Sequence, residues 1–378
     1  MDLHLSDETI AIRDMVRDFS KKEIEPIASK VDKDDFFPKE IFKKMGHLGI
    51  LGLTVSEEYG GAGLDYLTHG VVLEEISYFS GSIGLSYGAH SNLVVDNLFR
   101  NANKNQREEY LPDLISGDKI GSLCLTEPSG GSDALGSMKT TYRKEGDNFI
   151  INGSKTFITN APVADTFLVY SKNYDRYSAF ILKRSDGVET PKWIEKMGMR
   201  GSPTGEVYFN ELKIPLNRLL KNEGDGKKII YEGLNAERAV LAFGPLGIAR
   251  RALDEAIEYS QQREQFGTKI GNFQLIQEKL AYMFSKLEAV RLLAYEAAMM
   301  TKERIVDPSY AASSIMLASE TATQIAKDAL QIFGGYGYTS DFPLERLLRD
   351  AILYEIGAGT TEIRKIVIAK AVQKRNTR

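Results

Sequence analysis

The chain has one cysteine, one tryptophan and four histidines in 378 residues. A lone cysteine excludes an internal disulfide and fits a reducing compartment. Cys124 sits in the apolar run Leu123-Cys124-Leu125, where it reads as buried filler rather than a nucleophile. His4, His47, His69 and His90 include no pair at metal-ligand spacing, so no metal site is expected. An excess of one charge is also lacking. There are 48 basic and 52 acidic residues, a formal net charge of -4, which argues against nucleic acid as a partner. No apolar run approaches the ~18 residues of a membrane span. No G-x-G-x-x-G follows a strand, so a Rossmann dinucleotide site is not expected. Repeats of about 20–50 residues and low-complexity tracts are missing too. Residues Met1 to Glu8 are acidic and resemble neither a signal peptide nor an arginine-rich transit peptide. A cytoplasmic protein is expected, although a processed mitochondrial matrix form would look the same.

What is present is globular: 43% hydrophobic and 26% charged residues, over a length that implies two or three packed units. Ser6 can cap a helix that opens with Asp7 and Glu8. Pro38 suits a first helical position and is followed by Ile41, Phe42, Met45 and Leu48 at helical spacing. Gly60, Gly61 and Gly63 break the pattern before an apolar run from Leu67 to Phe79. Near residue 120 short β-branched and aromatic segments begin, such as 137–143, 149–151, 166–170 and 178–182. Gly146, Asn152-Gly153 and Asp186-Gly187 punctuate them as turn signals. Helical spacers between them are absent, so the strands should form an antiparallel sheet or barrel. Long helices return near 227–261, 273–303 and 308–333, with a shorter one from Thr361. The expected class is α+β: a helical domain over 1–120, an antiparallel β-domain over 121–225, and a C-terminal four-helix-bundle domain over 226–378.

One residue is out of character with its surroundings. On a helix, Glu237 shares a face with Gly233, Leu234, Val240, Leu241 and Gly244, all small or apolar. A carboxylate there is either a buried structural group bonded to an arginine, or a base whose proton affinity is raised by burial. The stretch Glu127-Pro128-Ser129-Gly130-Gly131-Ser132 could cradle a phosphate or ring edge, or form a plain turn. Arg263 to Gly267 sets a cation beside Phe266. Gln331 to Gly337 is glycine-rich, and Thr360 or Thr361 can cap the last helix. Each of these is weak alone.

In this order, the segments resemble the acyl-CoA dehydrogenase family along nearly the whole chain. The similarity runs through Leu125-Thr126-Glu127-Pro128, Gly153 to Asn160, Met197 to Ser202, Arg263 to Gly267, Phe333 to Gly337 and the C-terminal turn. Within the family the isovaleryl branch is nearest, on Gly84 to Leu93, Glu237-Arg238 with Leu241-Ala242, and Leu353 to Thr360. The resemblance implies a homotetramer with FAD between domains and subunits. Flavin contacts are then expected from Leu123, Leu125, Thr126, Gly131, Ser132, Phe157, Ile158 and Thr159. Others would come from Arg263, Phe266, Gln274, Gln331, Ile332, Gly334, Gly335, Thr360, Thr361 and Glu362, some of them to a neighbouring subunit's flavin. Acyl-CoA would meet Ser132, Asn235, Arg238, Gly357, Ala358 and Gly359.

Many relatives carry a catalytic glutamate where this chain has Ala358. The isovaleryl and long-chain branches supply the base at the position of Glu237, leaving Glu355 as a rival out of register. The implied reaction is α,β-dehydrogenation of a short, branched acyl-CoA. Glu237 would take the α-proton, the Ala358 N–H would face the thioester oxygen, and FAD would accept the β-hydride. An electron-transfer flavoprotein would be the acceptor. A straight-chain substrate, an oxidase and a flavin-binding protein without activity are the alternatives. The loop 173–177, shorter than in the isovaleryl enzymes, and Lys228, where they have tyrosine, leave the head-group contacts open.

Overall fold

The computed structural model describes residues 5–302 and 307–375. His4, the end of the 273–303 segment and the last three residues lie outside them. Seven helices come first: α1 (Asp7–Phe19), α2 (Glu25–Asp34), α3 (Lys39–His47), α4 (Tyr66–Phe79), α5 (Gly81–His90), α6 (Asn97–Asn101) and α7 (Lys104–Ile115). Ser6 caps α1 by accepting from the Thr9 N–H at 3.1 Å. Pro38 falls one residue ahead of its expected place, as the N-cap of α3.

Six strands follow: β1 (Gly121–Cys124), β2 (Thr141–Glu145), β3 (Asn148–Thr159), β4 (Thr166–Asn173), β5 (Arg176–Lys183) and β6 (Thr204–Pro215). The pairs β2–β3, β3–β6 and β4–β5 are antiparallel. β1 runs parallel to β4, and β2 touches β4 in parallel at Thr141–Lys172. The expectation of a wholly antiparallel sheet is corrected there. The excursion through β2 and β3 lets the chain return to β1 in the same direction, without a crossover helix. Asn152-Gly153 is not a turn but a bulge inside β3. Gly153 has φ +143°, and a Cβ there would lie 2.6 Å from Thr140 Cα, so close approach, not reversal, requires the glycine. The loop 173–177 is a tight hairpin, with Asn173 paired to Arg176 around Tyr174-Asp175.

The C-terminal helices are α8 (Gly226–Leu241), α9 (Phe243–Gln262), α10 (Gln274–Lys302), α11 (Pro308–Phe333), α12 (Leu344–Ile356) and α13 (Thr361–Arg375). A two-residue hairpin, β7 (Glu264–Gln265) with β8 (Thr268–Lys269), joins α9 to α10. The single segment expected over 227–261 is broken at Ala242, because Pro245 has no N–H for the Leu241 carbonyl and its ring crowds that oxygen. The helix α12 was not anticipated.

One apolar core runs through both helical regions and has α4 inside it, with Leu73 and Ile76 packed among Phe243, Leu246, Leu287 and Ile325. The sheet buries Phe167, Val169 and Phe180 on one face. On the other it presents Leu168, Tyr170 and Ile181 to α7 and α8. Since α4 is buried all round, its two adjacent glutamates need partners. Glu75 accepts both guanidinium arms of Arg250, at 2.8 and 2.7 Å, and a pair from Arg17. Glu74 receives Arg291 and Arg250, each at 3.1 Å. No helix among the described residues is long and apolar enough to cross a membrane.

These arginines hold the Glu75 carboxyl below its ordinary 4.5. Its stabilising contribution is therefore complete above pH 4.5 and lost as pH falls through the lowered value. Glu75→Gln removes the negative charge that Arg17 and Arg250 share, leaving Arg250 only Glu74, and should cost roughly 3 kcal/mol at neutral pH. Urea denaturation should show that difference shrinking as the pH drops below about 4.

Candidate active site

Two stretches of the site residues border one wall of the molecule. Leu123 from β1, Leu125 just beyond it and Leu234 from α8 pack at the rim of the same apolar cluster, between sheet and helices. The loop beyond β1 is tied down from below. Lys155, wholly buried on β3, donates to the Glu127 carboxylate at 2.8 Å and to the Leu125 carbonyl at 3.1 Å. Glu127 also accepts the backbone N–H groups of Lys139 and Thr140. Above this anchor Gly131 and Ser132 are exposed. Thr126 accepts the Thr156 N–H at 3.0 Å, and the Thr159 carbonyl takes the Ser122 hydroxyl at 2.7 Å. Phe157 lies between them at a register shift of β3, with φ +56° and 67% of its surface exposed. Its neighbour Ile158 points into the core.

Glu237 and Arg238 are buried on α8. Burial pushes the Glu237 carboxyl up to about 7, against the opposing charges of Arg238 and Arg364. Among the described residues no hydrogen-bond donor engages that carboxylate. Arg238 has only a long contact to Asn235, at 3.5 Å, and its Nε is unpaired. Facing it is the turn Gly357-Ala358-Gly359, where a Cβ on Gly359 would lie 3.7 Å from Arg238 Nη2. Ala358 adopts φ +56°, a conformation that costs an alanine of order 1 kcal/mol. Its N–H finds no acceptor among the described residues. Thr360 caps α13 through the Ile363 N–H, Thr361 is buried, and Glu362 is exposed in the first turn. Glu355 is half-buried on α12.

The remaining expected residues gather elsewhere. Arg263, Ile332, Gly334 and Gly335 line a cavity of about 530 Å³ with Tyr259 and Tyr336. Gln331 and Gln274 are exposed. Phe266 and Gly267 form the β7–β8 turn at φ +53° and +76°, which leaves Phe266 95% exposed. Ser319, which binds Arg364, and Ile332 are both on α11, roughly 20 Å apart at 1.5 Å per residue. Within one chain this group does not join the others.

Two site residues escaped the sequence reading. Lys155 stood in a motif without a role. Arg364 could have been found by the test that singled out Glu237, since Thr360, Thr361, Val367 and Ile368 flank it at helical spacing. Cys124 is buried with its thiol pushed up to about 12, which suits filler.

Glu237 binds its proton more tightly folded, near 7, than unfolded, near 4.5. Folding stability therefore falls as pH rises between those values and then levels off. Glu237→Gln, which imitates the protonated form, should gain roughly 3 kcal/mol over the native chain at pH 8 and nothing at pH 4. Denaturant titrations at the two pH values check it.

Family models match in sequence: acyl-CoA dehydrogenase N-terminal domain over residues 6–118, middle domain over 122–212 and C-terminal domain over 224–373. The mitochondrial isovaleryl-CoA dehydrogenase of Pongo abelii is 46% identical over 97% of this chain and 89% of its own. A chain solved under the description "Electron transferring flavoprotein of Acidaminococcus fermentans" is 38% identical with a TM-score of 0.96, covering 98% of this chain and 99% of that one. PigA in complex with FAD is 30% identical with a TM-score of 0.94, covering 99% and 100%. With matches in all three domains and across nearly its full length, this chain is an oxidoreductase of the acyl-CoA dehydrogenase family.

Proposed function

We propose that this enzyme uses FAD to dehydrogenate a short, branched acyl-CoA, isovaleryl-CoA above all, between Cα and Cβ. The observation that carries the reading is Glu237: a buried carboxylate without a hydrogen-bond donor, pushed up to about 7, whose neighbour Arg238 faces the turn where Ala358, at positive φ, offers a free N–H.

The residues present fit FAD. Phe157 and Phe266 are exposed aromatics at positive φ, suited to cover flat rings. Gly334 and Gly335 have nothing within 4 Å of a Cβ position, so backbone there is open to close approach, with Arg263 at hand for a diphosphate. FAD, when bound, supplies the two-electron acceptor for the β-hydrogen. The chain's own residues do the rest. Glu237 removes the α-proton, and a base near 7 is well matched to working pH. The Ala358 N–H donates to the thioester oxygen as negative charge develops there. Asn235, Arg238 and Ser132 orient the CoA portion, and Gly357 leaves room beside the acyl chain for a methyl branch.

The Arg263–Gly335 group would serve the flavin of a neighbouring copy, since roughly 20 Å separates it from the turn. A homotetramer also accounts for Leu275, Tyr282 and Phe284, which α10 exposes at 80%, 55% and 56%. The branched relative supports the substrate. The Acidaminococcus neighbour supports an electron-transfer flavoprotein as acceptor. We place the enzyme in the cytoplasm or a mitochondrial matrix; the Pongo relative is a mitochondrial enzyme.

The purified protein should be yellow with about one FAD per chain. Isovaleryl-CoA should reduce it faster than straight-chain thioesters, in a graded order, because one methyl is worth ~1–3 kcal/mol. A clear win by octanoyl-CoA rejects the branched assignment, and peroxide as the main product points to an oxidase. Glu237→Gln should retain FAD and acyl-CoA yet slow anaerobic flavin reduction by at least ~10²-fold. Near-native reduction by that variant, or a comparable loss in Glu355→Gln, places the base elsewhere.

A further inference from the structure

Among the described residues Arg364 is the largest fully buried side chain. It projects from the first turn of α13, and its guanidinium reaches two other helices. Nη2 donates to the Gly357 carbonyl at 2.6 Å, and Nη1 to the Ser319 hydroxyl of α11 at 3.1 Å. The Ser319 hydroxyl shares its hydrogen between the Ile315 carbonyl of its own helix and the Tyr354 carbonyl, 3.0 Å away near the end of α12. The turn bearing Ala358 is thus held at its entry by Gly357 and at its exit by the Thr360 cap.

The charge of Arg364 also matters. Glu237 is faced from its own helix by Arg238, from α13 by Arg364, and from β4 by the neutral Tyr170. Glu355 of α12 and Glu320 of α11 also act on Arg364 and favour its charged form. Of these charges only Glu237, Arg238 and Arg364 are buried, so the buried part of the cluster sets one carboxylate against two guanidinium groups. A cation that only closed a helix end would not need to lie where it repels Arg238. Burial first, and that repulsion second, lower the Arg364 guanidinium to about 10.

We infer that Arg364 is a positioning residue for the reaction, aiming the Ala358 N–H through Gly357 and supplying fixed positive charge that favours ionised Glu237 against its burial. It acts on no substrate atom directly. The inference rests on Glu237 as base.

The test is the pH dependence of anaerobic flavin reduction by isovaleryl-CoA in the FAD-loaded enzyme, for native protein, Arg364→Met, Arg364→Lys and Glu237→Gln. Arg364→Met should move the acid limb up by roughly one pH unit or more, since a neighbouring opposite charge shifts a carboxyl that far. Arg364→Lys keeps the charge and loses the fork. Its acid limb should stay within about 0.3 unit of native, while its limiting rate drops at least about tenfold with acyl-CoA affinity little changed. A native limiting rate in Arg364→Lys overturns the aiming role. An acid limb unmoved in folded Arg364→Met overturns the charge role. If Arg364→Met does not fold, Arg364→Lys decides alone: an upward limb shift equal to a unit would reject charge as what is conserved. Native reduction by Glu237→Gln rejects the base assignment instead, and is read independently of both arginine variants.

Discussion

The neutralisation of Glu74 and Glu75 inside the shared core is the constraint on which the arrangement depends. The helix α4 is buried nearly all round, so carboxylates there would be prohibitive without fixed partners. The partners come from α1, α9 and α10: Arg17, Arg250 and Arg291. One ionic cluster therefore sets the rotation and depth of four helices at once. Because α9 continues from α8 across the Pro245 break, the same cluster also determines where Glu237 stands relative to the sheet. Gly247 completes this seating, since a Cβ there would lie 2.3 Å from the Glu74 carbonyl.

The site is built from residues that give up local comfort. Phe157, Phe266 and Ala358 all hold positive φ without being glycine. Each is kept there by something stiffer: a bulge in β3, a two-residue hairpin, and a turn clamped by Arg364. The two aromatics also remain exposed. Glu237 and Arg238 show the electrostatic counterpart, with charges buried and incompletely paired. Such strain persists only where the surrounding packing over-determines it. It marks the face to which the proposed function assigns a flat cofactor and a thioester.

The far group around Arg263 and Gly335 adds a different constraint. It is built to the same open, glycine-rich standard but lies along α11 from the turn. Under the proposed function a second copy of the chain would reconcile the two halves, and assembly would then be tied to cofactor binding.

Much of this was legible in the sequence. The helix–sheet–helix order followed from periodicity and turn residues, and Glu237 followed from a carboxylate on an apolar stripe. The order of motifs pointed to the family. These are local properties: a helix face and a turn are specified by residues within a few positions of each other. The parallel β1–β4 pairing, the bulge at Gly153 and the proximity of Arg238 to Gly359 depend on contacts between distant segments, which no local pattern encodes. Arg364 lies between the two cases. Its stripe was visible, but whether a buried cation meets a carbonyl, a serine or a carboxylate is decided by which helices pack over it. Sequence determined which residues were unsuited to a plain core. Tertiary structure alone decided which of them face one another, because the cost of burying a charge is met only by partners that folding brings within reach.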